Sequence, residues 1–490
     1  MVTIQLKIRI VQRRASNGVF DWYVAKFQYV CKTYDIVAAF PHALESNEHV
    51  YMWPPVEWCE KFGVVVGSIV WHMIRSLYGR GPAAGNFRLL HEAIIVTVPG
   101  MSFKMLSSEP CMYFSSPSKT MVIHHIDDGR VGGPGPAVDA VTGWIAKYLL
   151  LKLSPKIENG IAYKYLNRTR VRLANGWATI PDPRLMQAVR DIIHMPETCK
   201  VAATPSVKRL VEGDETPRTG LSNTDYRSCV GKFIHLSLDT EMIAYAVKEL
   251  SRNLSAPDAS AWCAVARLVR FMTGKEGFAT ICQVSDSATP EFVDLAVKTD
   301  SDWAGSEDCR SSSGVHIELD GFKVYHSSVT QPGLPALSSA EAETRALSRG
   351  GCIGLQIKVL LEECGFQVKY RLICDAQAAI DGTQKLSGSR LRHLEIAQKY
   401  AQSLVRVKHA RIEKIPGKQN VADCLTKHLS PEDTKAHIER CGWKKLREPY
   451  RMAELTRVNS IKEVVNSDKL VVENEANKRK AEVESGLKLA

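Results

Sequence analysis

The chain has 490 residues, 45% of them hydrophobic and 8% aromatic, with 64 Lys and Arg against 53 Asp and Glu. At roughly 150 residues per domain this suggests about three domains, with ample material for a buried core. A disordered, collagen-like or disulfide-stapled chain is excluded, and the net charge of +11 is compatible with a polyanionic partner without requiring one.

The N-terminus alternates from Val2 to Ile10, which predicts a strand and not a signal peptide. The apolar run from Gly63 to Ile74 is too short to span a bilayer. Thirteen cysteines are spaced no closer than Cys364 and Cys374, so C-x-x-C zinc and redox patterns are absent. These features predict reduced thiols and a soluble chain of the cytoplasm or nucleus, with no membrane partner.

The first 170 residues mix short alternating runs with Gly/Pro punctuation, as at Gly132-Gly133-Pro134-Gly135-Pro136. His124 and His125, adjacent on a strand, point to opposite faces and do not read as a zinc pair. From about Pro183 to Gly277 apolar spacings of three and four predict helices. From Glu291 to Ser430 the pattern becomes strand-strand-strand-helix-strand-helix-strand-helix, an α/β mixed sheet with flanking helices. Within it Asp320-Gly321 reads as a two-residue hairpin turn, and Ser338 with Glu341 as a capping box. The charge-rich tail from about Arg451 reads as a solvated helix or disorder.

Four acids sit at the ends of these elements. Asp300 is expected to end the first strand, Glu343 lies in the first turns of the capped helix, Asp375 ends the fourth strand, and Asp423 lies three residues beyond the cap Asn420. Four converging carboxylates repel one another strongly unless cations lie between them. Two divalent metals remove that repulsion and suit in-line phosphodiester displacement, and oxygen ligands favour Mg²⁺ or Mn²⁺ over zinc. Strand-end acids and helix caps on an ordinary α/β domain are the competing reading.

The motifs Thr299-Asp300-Ser301-Asp302-Trp303-Ala304-Gly305, Leu337-Ser338-Ser339-Ala340-Glu341-Ala342-Glu343, Cys374-Asp375-Ala376-Gln377 and Asn420-Val421-Ala422-Asp423-Cys424-Leu425-Thr426-Lys427 resemble the ribonuclease H domain of copia-type LTR-retrotransposon Pol polyproteins. The resemblance implies a metal-binding catalytic tetrad of Asp300, Glu343, Asp375 and Asp423. Between Arg390 and Lys418 there are eight Lys and Arg against two acids, plus His393 and His409. Arg390, Arg392, His393, Arg406, Lys408, Arg411 and Lys418 are the candidate nucleic-acid contacts, which position a duplex without reading its sequence. A solvated helix face is the bland alternative.

Upstream, Tyr34-Asp35-Ile36-Val37-Ala38-Ala39-Phe40 and His124-His125-Ile126-Asp127-Asp128 resemble the palm motifs of the same family's reverse transcriptase. The resemblance implies metal ligation by Asp35, Asp127 and Asp128, with two ions in each active site, and Phe40 as the gate against a ribose 2′-hydroxyl. His125 stands where the family has Tyr, and Arg80-Gly81-Pro82-Ala83-Ala84-Gly85 stands where it has a Lys-Gln-Ala-Pro-Arg run. These departures imply an impaired polymerase.

The expected organisation is an α+β palm-like part over 1–175, a thumb/connection-like helical region over 176–290, a ribonuclease H domain over 291–430 and a charged tail over 431–490. The implied activity is Mg²⁺-dependent cleavage of the RNA strand of RNA–DNA hybrids. The expected partners are that hybrid and template RNA or DNA, with no small-molecule cofactor. A non-catalytic nucleic-acid-binding relic and a working reverse transcriptase are the alternatives.

Overall fold

The computed structural model of the chain describes residues 2–45, 49–196, 198–208, 220–306, 308–384, 399–446 and 449–458. Among the described residues two compact units emerge, one from 29–157 with 453–458, the other from 2–28 with 158–452.

The first unit is built on a seven-stranded antiparallel sheet. Val30–Ile36 lies inside it, between Leu151–Leu153 and Asp128–Gly133, and the hairpin partner Thr120–His125 follows. Helices Ala83–Val96 and Gly135–Tyr148 cover the sheet, burying Phe87, Ile94, Val141 and Ile145 against Tyr34, Tyr113, Val122 and Val131. This is the palm-like part.

In the second unit, a five-stranded mixed sheet carries the four acids. Its central strand, Val293–Asp302, pairs antiparallel with Ser312–Leu319, which pairs antiparallel with Phe322–Thr330. On its other side it pairs parallel with Val368–Cys374, which pairs parallel with Arg411–Lys414. Three antiparallel strands followed by two parallel ones is the expected ribonuclease H-like sheet. The hairpin turn forms as its sequence requires, with Asp320 and Gly321 at φ of 49° and 79°.

Helix Ser339–Glu363 crosses this sheet at close range, because small residues line the facing stripe. A Cβ on Gly350 would come within 2.6 Å of Thr299 Cγ2, and Ala342 and Ala346 at the preceding i+4 positions are fully buried. Ser338 caps the helix by accepting from Glu341 N, while Glu341 Oε2 accepts from Leu337 N. The box therefore closes one residue earlier than its reciprocal form. The same unit holds a six-stranded sheet and a helical core in which Tyr226, Phe233, Trp262, Leu268 and Phe271 are buried.

Two local expectations are overturned. Val2–Lys26 is a helix, not a strand. The period-two alternation spans only nine residues, and the rest of the helix buries Ala15, Val19, Trp22 and Tyr23 at spacings of three and four. At the other end, Arg451–Met452 and Thr456–Arg457 form short strands paired to existing sheet edges where the start of the tail was read as helix or disorder, and the tail from 459 on lies outside the described residues. Sheet edges offer unpaired backbone groups that a polar segment can satisfy.

Candidate functional site

Asp300 occupies the central strand two residues before its end, so pairing continues past the acid to Asp302. It is 2% exposed, and one carboxylate oxygen accepts from the Thr426 hydroxyl. Asp375 follows the end of the neighbouring parallel strand. Asp423 lies in the 3-10 helix Val421–Leu425, where a full α-helix was expected, and Asn420 caps it by accepting from Ala422 N. The Asn420 amide also donates to Thr299 O at 2.9 Å, tying this turn to the central strand. Gly314 permits the contact, since a Cβ there would lie 2.8 Å from both Ala422 O and Thr426 Cγ2.

These placements bring one carboxylate oxygen each from Asp300, Asp375 and Asp423 within 4.8 Å of one another. Glu343 joins them from the helix. Its Oε1 accepts from Ser301 N at 3.2 Å, and its Oε2 is buried without a hydrogen-bond partner. Burial pushes Glu343 up to about 9, reinforced by the Asp300 and Asp375 charges. Burial and then Asp300 push Asp423 up to about 7 and raise Asp375.

Lys427 partly offsets this repulsion. Its Nζ lies 3.1 Å from Asp423 Oδ2 and 3.8 Å from Asp300 Oδ2. Burial alone would lower the ammonium, but the two carboxylates outweigh it and hold it above its ordinary value. Thr426 and Lys427 close the last motif, and neither has a role assigned by the sequence alone. The signal was their spacing, since Lys427 falls one helical turn after Asp423. Oxygen-only donors and the unpartnered oxygens Glu343 Oε2 and Asp423 Oδ1 fit a hard divalent cation.

The second trio lies in the other unit. Asp35 and Asp128 face each other at the last rung between their strands, and Asp127 O accepts from Ile36 N at 2.9 Å. Ile126 takes a left-handed φ of 57° where the hairpin turns. Burial pushes Asp128 up to about 6, helped by Asp127 and Asp35. Lys152 Nζ lies 3.0 Å from Asp35, whose side chain is 27% exposed. Among the described residues this trio is not one whose ligand atoms all close to within 4.8 Å. The Phe40 ring packs 4.7 Å from Tyr78 and 6.4 Å from Phe87. His124 is buried with its ring 4.1 Å from His91, and His125 is half-buried.

Of the basic stretch, Arg406, Lys408, Arg411 and Lys418 are exposed around the last parallel strand. Arg390, Arg392 and His393 lie outside the described residues.

The strand order and acids thus define a ribonuclease H-like fold in one unit and a palm-like sheet in the other. The chain is similar to retrovirus-related Pol polyproteins of plant transposons, the copia-type resemblance that its motifs carry. It is 26% identical over 409 residues to the retrovirus-related Pol polyprotein from transposon TNT 1-94 of Nicotiana tabacum, covering 80% of this chain and 29% of that protein. Against the Pol polyprotein from transposon RE2 of Arabidopsis thaliana it is 27% identical over 241 residues, 48% of this chain and 16% of the relative. The chain therefore spans less than a third of these relatives.

No family model matches. Among solved structures, a foamy viral protease-reverse transcriptase in complex with dsDNA has 9% identity and a TM-score of 0.40, covering 79% of this chain and 67% of that one. A ribonuclease H1 isolated from compost has 18% identity and a TM-score of 0.21, covering 28% of this chain and 93% of that one. Both scores are below 0.5, and strand order and register carry the fold assignment.

Proposed function

We propose that this chain cleaves the RNA strand of RNA–DNA hybrids in a Mg²⁺- or Mn²⁺-dependent reaction, using Asp300, Glu343, Asp375 and Asp423. The observation that carries this reading is the convergence of Asp300, Asp375 and Asp423 within 4.8 Å, with Glu343 beside them. Bound there, two divalent cations supply an activated water and charge stabilisation for the leaving oxygen.

The chain's own residues prepare that site. Ser301 N fixes one oxygen of Glu343, and Thr426 fixes one oxygen of Asp300, so each acid keeps its other oxygen for a ligand. Asn420 holds the Asp423 turn against the central strand, and Lys427 offsets part of the acids' charge. Water attacks phosphorus, the bond to the 3′-oxygen breaks, and the products carry a 3′-hydroxyl and a 5′-phosphate. Exposed Arg406, Lys408, Arg411 and Lys418 suit phosphate contacts, with the 2′-hydroxyl and helix shape setting selectivity. In this reading the domains run 1–175, 176–290 and 291–430, with a tail over 431–490, in a protein of the cytoplasm or nucleus.

A second reading attaches to the palm-like unit. The facing of Asp35 and Asp128 beside Asp127 supports a primer-extending site with two metals and Phe40 as gate, impaired by His125 and the altered run from Arg80 to Gly85. Purified full chain is incubated with labelled RNA–DNA hybrid, single-stranded RNA or duplex DNA, with Mg²⁺ or EDTA. Cleavage of the hybrid alone, abolished by EDTA, is the expected result. Salt-sensitive binding without cleavage identifies a relic instead, and primer extension on an RNA template measures the second site.

A further inference from the structure

A second cluster of ligand-type side chains lies in the unit that carries the four acids, and it is independent of the reaction proposed above. Glu241 comes from the 3-10 helix Glu241–Ile243, Cys424 from the 3-10 helix Val421–Leu425, and Cys441 caps the end of helix Pro431–Arg440. All three are buried, and one ligand atom from each lies within 4.8 Å of the others.

The two sulfur atoms are 3.9 Å apart. Two thiolates on one tetrahedral zinc, with bonds of about 2.3 Å, place their sulfurs roughly 3.8 Å apart. Glu241 is already oriented for such a role. Its side chain is fully buried, Oε1 accepts from His316 Nδ1 at 2.7 Å, and Oε2 has no hydrogen-bond partner. His316 also faces Glu318 Oε1 at 2.8 Å through Nε2, so both ring nitrogens donate to carboxylates and fix the Glu241 rotamer. A tetrahedral ion needs a fourth ligand. A water fills that position, since His437, one helical turn before Cys441 and 3% exposed, does not bring a ring nitrogen into the 4.8 Å group.

The charges also balance. Two thiols lose two protons as a dication enters, leaving the net charge of the pocket unchanged. Two thiolates and Glu241 then exceed the ion by one negative charge, which the buried Lys323 ammonium, 3.7 Å from Glu241 Oε2, offsets, while the His316 imidazolium is matched by Glu318. The mixed sulfur and carboxylate donors select zinc over Mg²⁺ or Ca²⁺.

We propose that Glu241, Cys424 and Cys441 form a structural zinc site. It clips the turn bearing Asp423 to the helix that follows it and to a 3-10 segment distant in sequence. The C-x-x-C spacing absent from the sequence is not required, because the fold assembles the ligands from positions up to 200 residues apart, between Glu241 and Cys441.

The test is zinc content of the full chain, purified without chelator from zinc-supplemented cells, by mass spectrometry and by mercurial-induced release to a zinc-binding dye. About one zinc per chain is expected, retained in Asp300→Asn and reduced at least tenfold in folded Cys424→Ala/Cys441→Ala. Cobalt exchanged into the native chain is expected to give a thiolate-to-metal charge-transfer band, which decides the matter if the double variant does not fold. A metal-free native chain without that band, a Cys424–Cys441 disulfide, or undiminished zinc in the folded double variant overturns the proposal.

Discussion

The two carboxylate groups of this molecule are built to different tightness. In the ribonuclease H-like sheet, four acids arrive on four separate elements, Asp300 is 2% exposed, and Glu343 and Asp423 are pushed up to about 9 and about 7. In the palm-like sheet, three acids sit on one hairpin and its neighbour, Asp35 is 27% exposed, and Asp128 rises to about 6. Crowding like charges in a dry site destabilises the fold unless cations occupy it. The tighter group thus carries the greater electrostatic cost and the stronger case for bound metals.

The largest expected effect separates the two sites by chemistry. Asp300→Asn should lower hybrid cleavage by roughly 10³-fold or more by removing a metal ligand. Asp127→Asn should leave hybrid cleavage within about twofold and abolish whatever primer extension exists. Equal losses in both variants would erase the distinction, and product gels on the same substrates measure it.

Stability sharpens the contrast next. Without divalent cations at pH 8, Glu343→Gln removes the cost of taking up a proton on a buried carboxyl as the chain folds, and should raise the melting temperature of its unit by about 2–4 °C. Asp128→Asn, in the more open group, should shift its own unit by less than about 1 °C. Calorimetry of both variants in EDTA provides the comparison.

A third effect follows from proton linkage. Glu343, Asp423 and Asp375 all titrate above their ordinary carboxylate range in the fold. These three groups therefore hold more protons in the folded than in the unfolded chain between their ordinary carboxylate range and about pH 9. Their contribution to stability is full below that window and is lost as pH rises through it. In EDTA the unit with the tetrad should melt higher at pH 6 than at pH 8, and saturating Mg²⁺ should narrow or invert the difference. A rise in metal-free stability from pH 6 to 8 in wild type, absent in Glu343→Gln, would contradict the sign.

The smallest effects belong to the basic surface. Single Ala variants of Arg406, Lys408, Arg411 or Lys418 should each reduce the slope of log affinity against log salt by about 0.9 for duplex binding. Fluorescence anisotropy across a salt series reads this, and unchanged slopes would assign those side chains to a solvated face.

The sequence made the ribonuclease H-like sheet legible because its signals are local and agree. Asp320-Gly321 specifies a turn, Ser338 a cap, and Leu295 and Val297 alternate on the strand leading to Asp300. The four acids were legible from element ends, and the structure brings Asp300, Asp375 and Asp423 together with Glu343 adjacent. The N-terminal helix was not legible, because nine alternating residues imitate a strand and tertiary burial of Trp22 and Tyr23 decides otherwise. Nor were the hold of Thr426 on Asp300 or the grouping of Glu241 with Cys424 and Cys441. Those depend on contacts between segments that only the fold brings near.

The central claim is tested most directly by single-turnover cleavage of one RNA–DNA hybrid by wild type, Asp300→Asn and an Asp127→Asn/Asp128→Asn double variant. The account expects Mg²⁺-dependent products with 3′-hydroxyl ends from wild type and the double variant, and none from Asp300→Asn. Cleavage that persists in Asp300→Asn, or that vanishes only in the double variant, would contradict it.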